Sequence, residues 1–362
     1  MGGPSSVRRS QYGINPLKTT ILLTMVSMHC AFAFVTSTTG IRSCAPTPLH
    51  SKDYPLSFPT APFRVNDAFQ TKKSHASLVA LQLSGGSMES SSAWIANMLG
   101  SDVVTSLFAY GGNVPFALAF GINAVLFTAL NSKLRKMLTP EGFGHALALG
   151  TLLWTTLGWR GWSVCVLYLF LGSAVTKVKF AEKEKMGIAE GRGGRRGPEN
   201  IWGSAATALV CAACSVQGDQ FLGISSNLYV LGFVASLATK LADTFASEIG
   251  KAYGKTTFLI TTFEKVDPGT EGAVSLEGTL AALVGGSFLP LFGLGIHMLD
   301  SVQAVVLATI AAFLATNAES LIGATLQGRE GFQWMTNEVV NFFNTVIGAG
   351  IAIAGGAMLL GM

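Results

Sequence analysis

Charge is scarce in this 362-residue chain, since Asp, Glu, Lys and Arg together make up only 12% of it. A soluble domain carries about twice that share, roughly 25%. Hydrophobic residues account for 49% of the chain, and its mean hydropathy is +0.47. These values exclude an ordinary soluble domain and indicate a polytopic membrane protein.

Metal-ligating and nucleic-acid-binding features are also scarce. Of five cysteines, Cys211 and Cys214 lie closest together in the sequence. Their CAAC segment is apolar and has no histidine nearby, so metal binding or redox activity is not expected. The net charge is only +4, and no basic patch alternates with aromatic residues, so no nucleic-acid partner is expected. No Ser-His-Asp arrangement, haem ligand pair or flavin fingerprint is evident.

The first 92 residues have the composition of targeting segments. Residues 1–34 resemble a signal peptide, because basic residues accompany an apolar run from Leu17 to Phe34. Residues 35–92 are rich in Ser, Thr and Pro and poor in acids, as in a disordered transit peptide. The junction CAFAF resembles the bipartite presequence of algae with secondary plastids. The prediction is import into a plastid membrane; a secretory signal or a first membrane anchor is the alternative.

Residues 93–362 are predicted to form a multi-span catalytic domain, an all-α transmembrane bundle with seven or eight spans. Ala93–Tyr110 is weakly amphipathic and is expected to lie on the membrane surface. Several apolar windows are shorter than the ~20 residues of an upright span, which leaves the count open. The windows are 113–130, 143–158, 160–176, 201–217, 226–250, 276–298, 302–326 and 339–361.

Basic residues predict which loops share a side of the membrane. Counting alternate spans places loops 131–142, 177–200, 251–275 and 327–338 together, and 177–200 alone holds seven Lys or Arg residues. The opposite loops are short and carry few or no positive charges. The positive-inside rule therefore places the basic loops on the synthesis side, which is the stroma in a plastid.

The segment LATKLADTFASEIG, residues 237–250, places Asp243 and Glu248 within an apolar span. At about 100° per residue, both carboxylates fall on a polar face that also carries Thr244. Ionisable groups at membrane depth are costly and usually functional. A helix that seals its polar side against neighbouring helices is the alternative to a lined site.

Three loop features are predicted to lie on the same side as these carboxylates. Gly191–Asn200 presents guanidinium groups before a helix, a chemistry suited to phosphate, with lipid-headgroup contact as the alternative. GKAYGKTT, residues 250–257, contains Lys255 but is not a P-loop, since its glycine spacing is too short and a helix precedes it. Thr256–Gly278, which contains Lys265, is expected to form a re-entrant or capping loop.

The last two apolar spans also carry polar residues. Asn317 and Glu319 lie on one span, and Asn337 and Asn341 begin a polar stripe on the final helix. Such asparagines either bond helix to helix or contact a ligand. Carboxylate and amide oxygens suit Mg²⁺, and Arg and Lys suit phosphate. The combination favours phosphoryl or nucleotidyl transfer on a lipid, which requires no protein nucleophile.

Four motifs together resemble the plant-type phytyl-phosphate kinases. These kinases belong to a broader integral membrane family of largely unknown function, distantly similar to CTP-using lipid kinases and cytidylyltransferases. The resemblance covers about residues 114–360. The motifs are GRRGPENIWGSAA, LADTFASEIGK, TTFEKVDPGTEGAVSLEGTLAALVGG and ESLIGATLQ followed by GFQWMTNEVVNFFNTVIGA.

The resemblance implies conversion of phytyl phosphate to phytyl diphosphate for tocopherol and phylloquinone synthesis. CTP is the expected phosphoryl donor, and ATP is the alternative. The sequence does not distinguish a phytyl from a geranylgeranyl chain in the substrate, or the envelope from the thylakoid as the membrane. The physical interpretation assigns the roles: Asp243, Glu248 and Lys255 are catalytic; Asp243, Glu248 and Glu319 hold Mg²⁺. The predicted substrate- and nucleotide-binding residues are Arg195, Arg196, Asn200, Thr244, Lys265, Asn317, Asn337 and Asn341. The alternatives are a CTP-dependent cytidylyltransferase and a transporter or scaffold for a phosphorylated lipid.

Overall fold

The computed structural model describes residues 114–218 and 220–362. The predicted signal-peptide-like and transit-peptide-like segments, 1–34 and 35–92, lie outside the described residues, as does the amphipathic stretch Ala93–Tyr110. The described chain folds mainly into helices.

The first described helices form a bent pair followed by a long helical segment. Helix α1 (Phe116–Ala129) turns by 84° into α2 (Asn131–Met137). Helix α3 (Pro140–Thr176) begins with Thr139, whose side chain accepts a hydrogen bond from the Gly142 backbone N–H. This cap satisfies one of the N–H groups that a helix start leaves unpaired.

Helix α3 folds back on itself at Gly158, where the backbone has φ 62° and ψ −154°. These angles are essentially restricted to glycine. A straight helix would separate Thr139 from Gly172 by about 50 Å. Instead, both approach one residue: the Thr139 N–H donates to the Arg196 carbonyl at 3.0 Å, and Gly172 packs against the Arg196 guanidinium. The predicted windows 143–158 and 160–176 therefore correspond to two antiparallel halves of α3.

From α3 the chain runs through short elements and one longer helix to the centre of the bundle. These elements, in chain order, are α4 (Phe180–Lys185), a 3₁₀ turn (Gly191–Gly194), α5 (Pro198–Ser215), and strands β1 (Gln220–Phe221) and β2 (Ile224–Ser225), followed by α6 (Ser226–Tyr253). Strands β1 and β2 pair antiparallel, and the Ser225 side chain caps α6 by accepting from the Leu228 N–H.

Helix α6 is the central helix of the bundle. In its most apolar window, 94% of the residues are buried inside the protein, and it packs against α3, α5 and the three helices that follow it. Phe233, Leu237 and Leu241 are fully buried in the hydrophobic core. The predicted apolar face of this segment therefore contacts protein.

Three further long helices complete the bundle. They are α7 (Leu276–Gly295), α8 (Val302–Thr325) and α9 (Asn337–Gly355), which ends in a π-helical turn (Gly356–Leu360). Strands β3 (Thr257–Leu259) and β4 (Ala273–Ser275) pair antiparallel between α6 and α7. Ser275 and Ser301 cap α7 and α8 by accepting backbone N–H bonds, as serine does at helix starts.

The prediction of a helical bundle holds in its coarse form, whereas the predicted span count is not confirmed. The described chain is mostly helical, with two small β-hairpins between helices. Within it, four helices are long and apolar enough to cross a bilayer, α6, α7, α8 and α9 with its π turn, or five elements if the bent α1–α2 pair is one span. Seven or eight spans are not confirmed. The apolar window over α1 covers a helix of only 14 residues, below the length of an upright span.

Direct contacts bring the four predicted basic loops together at one end of the bundle, while the side of the membrane that they face stays a prediction. Thr139 of the first loop bonds to Arg196 of the second. The Lys179 ammonium donates to the Ala252 carbonyl in the third loop at 3.3 Å. The Asn200 amide donates to the Glu338 carboxylate of the fourth at 3.2 Å. The loops therefore form one continuous surface.

Candidate functional site

A cavity of about 420 Å³ opens at the end of the bundle where the basic loops meet. This volume lies within the 300–1,000 Å³ range typical of ligand sites. The ends of α5, α6, α7, α8 and α9 form its walls, and the segment Pro268–Ser275 lies across it.

The cavity brings together residues from distant parts of the sequence. Lys255 and Lys265 do not line it; both are exposed on the segment between α6 and α7. The other predicted site residues all line its wall: Arg195, Arg196, Asn200, Asp243, Thr244, Glu248, Asn317, Glu319, Asn337 and Asn341.

Asp243 belongs to a buried polar cluster between α6 and α9. The Lys240 ammonium, one turn earlier, donates to the Asp243 carboxylate. The same ammonium donates to the Asn341 side-chain oxygen at 2.8 Å. Lys240 therefore compensates the Asp243 charge and bonds α6 to the final helix through Asn341, which also lies on the cavity wall.

Glu248 lies in a second buried ion pair. Its carboxylate accepts from Lys183 of the short helix α4, and both side chains are almost completely buried. The Lys183 ammonium also donates to the Thr176 carbonyl at 3.0 Å, at the end of α3. The pair ties α3 and α4 to the central helix, which favours an anchoring role for Glu248.

Glu319 of α8 faces a mixed set of charges across the cavity. Its charged neighbours are Asp243, Lys240, Glu271 and Lys251. Of these, Lys251 continues the polar face of α6 and lines the cavity wall. Carboxylates and ammonium groups therefore line one space, an arrangement that can hold a phosphate together with a divalent cation.

The carboxylates do not form a preassembled metal cage. Among residues 114–218 and 220–362, no three His, Cys, Asp or Glu side chains are close enough to hold a metal ion. Mg²⁺ usually takes only one or two protein carboxylates and completes its coordination with phosphate and water. Asp243 and Glu319 on the cavity wall fit that mode of binding.

The arginine loop, residues 191–200, presents three guanidinium groups, of which Arg196 is held in place and Arg192 and Arg195 are exposed. Arg196 donates from Nη1 to the Tyr168 hydroxyl at 2.6 Å and lies over the same ring, 5.0 Å from its centroid. Its backbone is held by Met137 and Thr139. Arg195 lines the cavity but is exposed, so it has the freedom to reach a ligand.

Asn200 connects the arginine loop to the final helix. Its side-chain oxygen accepts from Arg192 at 2.6 Å and from the Gly197 N–H at 3.0 Å. Its amide donates to Glu338 at the start of α9. These contacts make Asn200 chiefly a support for the loop on the cavity wall.

The segment between α6 and α7, residues 254–275, forms a cap over the cavity, as predicted for a capping loop. Glu271 lies at its cavity edge. Burial raises the pKa of the Glu271 carboxyl above its ordinary value; Lys251 opposes this shift, and Asp243 adds to it. Phe263, at the far tip of the cap, is 74% exposed.

Sequence reasoning gave no role to two lysines that pair with the predicted acids. Lys240 carried a local signal, since it precedes Asp243 by three residues on the same helix face. Lys183 carried none, because it lies in a charged loop and is 65 residues from its partner in the chain. Asn344, the third asparagine of the α9 stripe, is fully buried and finds no hydrogen-bond partner among the described residues.

The long apolar helices and the charged cavity at one end of them define an integral membrane protein with a polar site near the membrane boundary. The chain belongs to the family described as integral membrane protein DUF92, whose model matches residues 123–349.

Relatives of the chain match more than half of its length. The "uncharacterized membrane protein sll0875" of Synechocystis sp. is 52% identical over 240 residues, covering 66% of this chain and 90% of the relative. "Protein VTE6, chloroplastic" of Arabidopsis thaliana is 39% identical over 309 residues, covering 83% and 91%. An "uncharacterized membrane protein" of Methanocaldococcus jannaschii is 30% identical over 226 residues, covering 62% and 88%. No solved structure matches the chain.

Proposed function

We propose that this protein is a membrane-bound isoprenoid-phosphate kinase that converts phytyl phosphate to phytyl diphosphate with a nucleoside triphosphate. The observation that carries the proposal is the cavity, where acidic, amide and basic side chains surround a space at the membrane boundary. The four motifs that resemble phytyl-phosphate kinases supply much of its wall. The similarity to a chloroplastic Arabidopsis protein over 83% of the chain supports the same assignment.

The proposed reaction moves one phosphoryl group. A terminal oxygen of phytyl phosphate bonds to the γ-phosphorus of the nucleotide, while the bond from that phosphorus to the β–γ bridging oxygen breaks. The products are phytyl diphosphate and a nucleoside diphosphate. Such transfer depends on positioning and charge compensation. Arg195, Lys240 and Lys251 on the cavity wall are the cations proposed to neutralise the phosphate oxygens.

Mg²⁺ is the proposed cofactor, held by Asp243 and Glu319 together with the nucleotide phosphates. When bound, it would supply charge neutralisation at the phosphate oxygens. Asp243 keeps its place on α6 through Lys240, and Glu248 keeps α4 packed through Lys183. Asn317 and Asn337 line the same wall and are proposed to contact the nucleotide or the substrate phosphate, together with Thr244.

We further propose a plastid membrane as the location, with the cavity on the stromal side, and CTP as the donor. The product would then supply tocopherol and phylloquinone synthesis. The basic loops around the cavity support the stromal orientation through the positive-inside rule. The chloroplastic Arabidopsis relative supports the compartment.

Lipid analysis by mass spectrometry tests the reaction directly. The purified full chain in membranes is incubated with phytyl phosphate, Mg²⁺ and CTP, ATP, GTP or UTP in turn. We expect phytyl diphosphate with one preferred nucleotide. A cytidine-bearing lipid would instead identify a cytidylyltransferase, and the absence of nucleotide consumption by folded protein would favour a transporter or scaffold.

A further inference from the structure

A narrow apolar crevice lies beside the charged cavity. Leu149, Leu153 and Leu169 of the two α3 halves face Ile201 and Ala205 of α5 across it. Its volume is about 60 Å³, far below the 300–1,000 Å³ of an independent ligand site. The crevice is therefore best understood as an extension of a larger site.

The crevice and the cavity share part of their walls. Arg196, Asn200 and Ser204 line both spaces. Apart from these three residues, the described residues around the crevice are aliphatic, aromatic, glycine or cysteine. A ligand that crosses this boundary therefore meets charge on one side and hydrocarbon on the other.

We propose that the crevice binds the part of the substrate's hydrocarbon chain nearest to its phosphate, with Arg196 at the boundary between chain and phosphate. This inference rests on the proposed function and specifies how an isoprenoid phosphate lies in the same site. A nucleotide does not suit the crevice, because its polar groups would lose water without gaining partners. An isoprenoid chain gains free energy there by burying apolar surface.

The fixed position of Arg196 supports this arrangement. Its guanidinium is held against the face and the hydroxyl of Tyr168, which itself lines the crevice. Gly172 allows the close approach, since a Cβ at this position would lie 2.6 Å from Arg196 Nη2. The side chain is therefore set at the junction before any ligand arrives, which lowers the entropic cost of holding a phosphate.

Two alanines on one helix provide a matched test. Ala146 lines the crevice, whereas Ala148, two residues later on α3, is exposed on another face. The full chain in proteoliposomes is assayed for its KM for each of its two substrates, phytyl phosphate and the nucleotide. Because Ala146→Phe fills the apolar space proposed for the hydrocarbon chain, its KM for phytyl phosphate should rise at least about tenfold, whereas its KM for the nucleotide should stay unchanged. Ala148→Phe should leave both KM values unchanged.

Equal KM changes for the two substrates in Ala146→Phe, or the same selective rise in the KM for phytyl phosphate in Ala148→Phe, would overturn the assignment. A second measurement works without turnover: a phytyl phosphate analogue with a diazirine near the phosphate is photolysed on the unsubstituted protein, and labelled peptides are mapped. Labels on α3 and α5 are expected, and unlabelled phytyl phosphate should suppress them. Labels confined to α7 and α8 would overturn the crevice, whereas failure of kinase turnover alone would overturn only the proposed reaction.

Discussion

The two acidic residues of α6 are both compensated by lysine, but in different ways. Glu248 lies at the cavity wall, but its side chain and that of Lys183 are almost completely buried between α6 and α4. Asp243 and Lys240 line the open cavity, where Lys240 also holds Asn341. The first pair is therefore suited to hold the structure together and the second to respond to a ligand.

Glu248→Gln should destabilise the folded protein strongly. It leaves the buried Lys183 ammonium without its counter-charge, a change that costs roughly 3–5 kcal/mol in buried pairs. Thermal unfolding in detergent measures the loss. Glu182→Gln is the matched control, because Glu182 is 64% exposed in its pair with Lys179, and exposed pairs contribute about 1 kcal/mol or less.

The double variant Lys183→Met with Glu248→Gln should recover part of that stability. It removes the uncompensated charge that either single change leaves buried. A double variant as unstable as the sum of the two single variants would show that the pair is not coupled.

Asp243→Asn tests the proposed metal site. We expect transfer to fall at least about a hundredfold, the scale at which lost electrostatic groups slow catalysis. Lys240 loses its counter-charge but lines the open cavity and retains its hydrogen bond to Asn341, so the variant should still insert and fold, which thermal unfolding checks. Asp300→Asn, an exposed change in the loop between α7 and α8, is the control and should keep full activity. Full activity in Asp243→Asn would exclude the metal role.

At the scale of elements, the reversal of α3 and the cap between α6 and α7 shape the site. The α3 hairpin brings Thr139 and Tyr168 to Arg196. Helices α6 and α7 cross closely beside the cap: a Cβ on Gly278 of α7 would lie 2.7 Å from the Ala246 carbonyl of α6. Small residues at this crossing allow the helices to approach closely.

Gly158→Ala should destabilise the protein by about 1–3 kcal/mol, since the backbone angles at this position strain any residue with a Cβ. Gly144→Ala on the same helix is the control. A Cβ at Gly144 meets nothing within 4 Å, and alanine is favoured over glycine in a helix by about 0.5–1 kcal/mol. The Tm should therefore fall in Gly158→Ala and rise in Gly144→Ala. Equal shifts in Tm for the two variants would contradict the reversal of α3 at Gly158.

Glu271 should make the stability of the cap depend on pH. Its folded-state pKa is raised, so the folded state binds more protons than the unfolded state over the interval above the ordinary value of 4.5. Stability is therefore lost as the pH rises from 4.5 through the raised pKa.

The Glu271→Gln variant cannot ionise, so its Tm relative to the parent should rise across the same interval. Tm measured from acidic to neutral pH checks this prediction. For Glu264→Gln, an exposed substitution elsewhere on the cap, the plot of Tm against pH should run parallel to that of the parent. If the plot for Glu271→Gln were also parallel, Glu271 would not be the source of the pH dependence.

For the whole molecule, one buried helix is surrounded by the others, and the basic loops meet at one end. Helix α7 has 20 residues, a length of about 30 Å that matches the bilayer core. It separates the cap from the loop at Asp300. The charged cavity and the short loops Gln217–Ser225 and Leu299–Ser301 should therefore lie on opposite sides of the membrane.

Cysteine accessibility tests this orientation. In sealed vesicles, an impermeant maleimide should label Lys265→Cys and Arg195→Cys from the same side, and Asp300→Cys only from the other. The labelling of the unsubstituted protein, which has its own cysteines, is subtracted as background. Labelling of Lys265→Cys and Asp300→Cys from one side would rule out α7 as a single crossing.

Much of the site could be predicted because its signal is local. Asp243 and Thr244 share a helix face with each other, and charged residues in an apolar segment are conspicuous in any sequence. Lys255 and Lys265 lie near that segment in the chain, which suggests a role in the site, but the cap turns them outward. Their positions depend on the β3–β4 pairing, which the local pattern of polar and apolar residues does not specify.

The membrane class, the long apolar helices, the shared side of the basic loops and the polar face of α6 all follow from the amino-acid order alone. Composition, helical periodicity and charge counts predict them, because each of these signals acts over a few turns of chain. Three other features emerge only from the folded chain: the reversal of α3 at Gly158, the neutralisation of Glu248 by Lys183, and the crevice that joins the cavity at Arg196. They depend on contacts between residues far apart in the chain, where burial selects partners that local pattern does not identify.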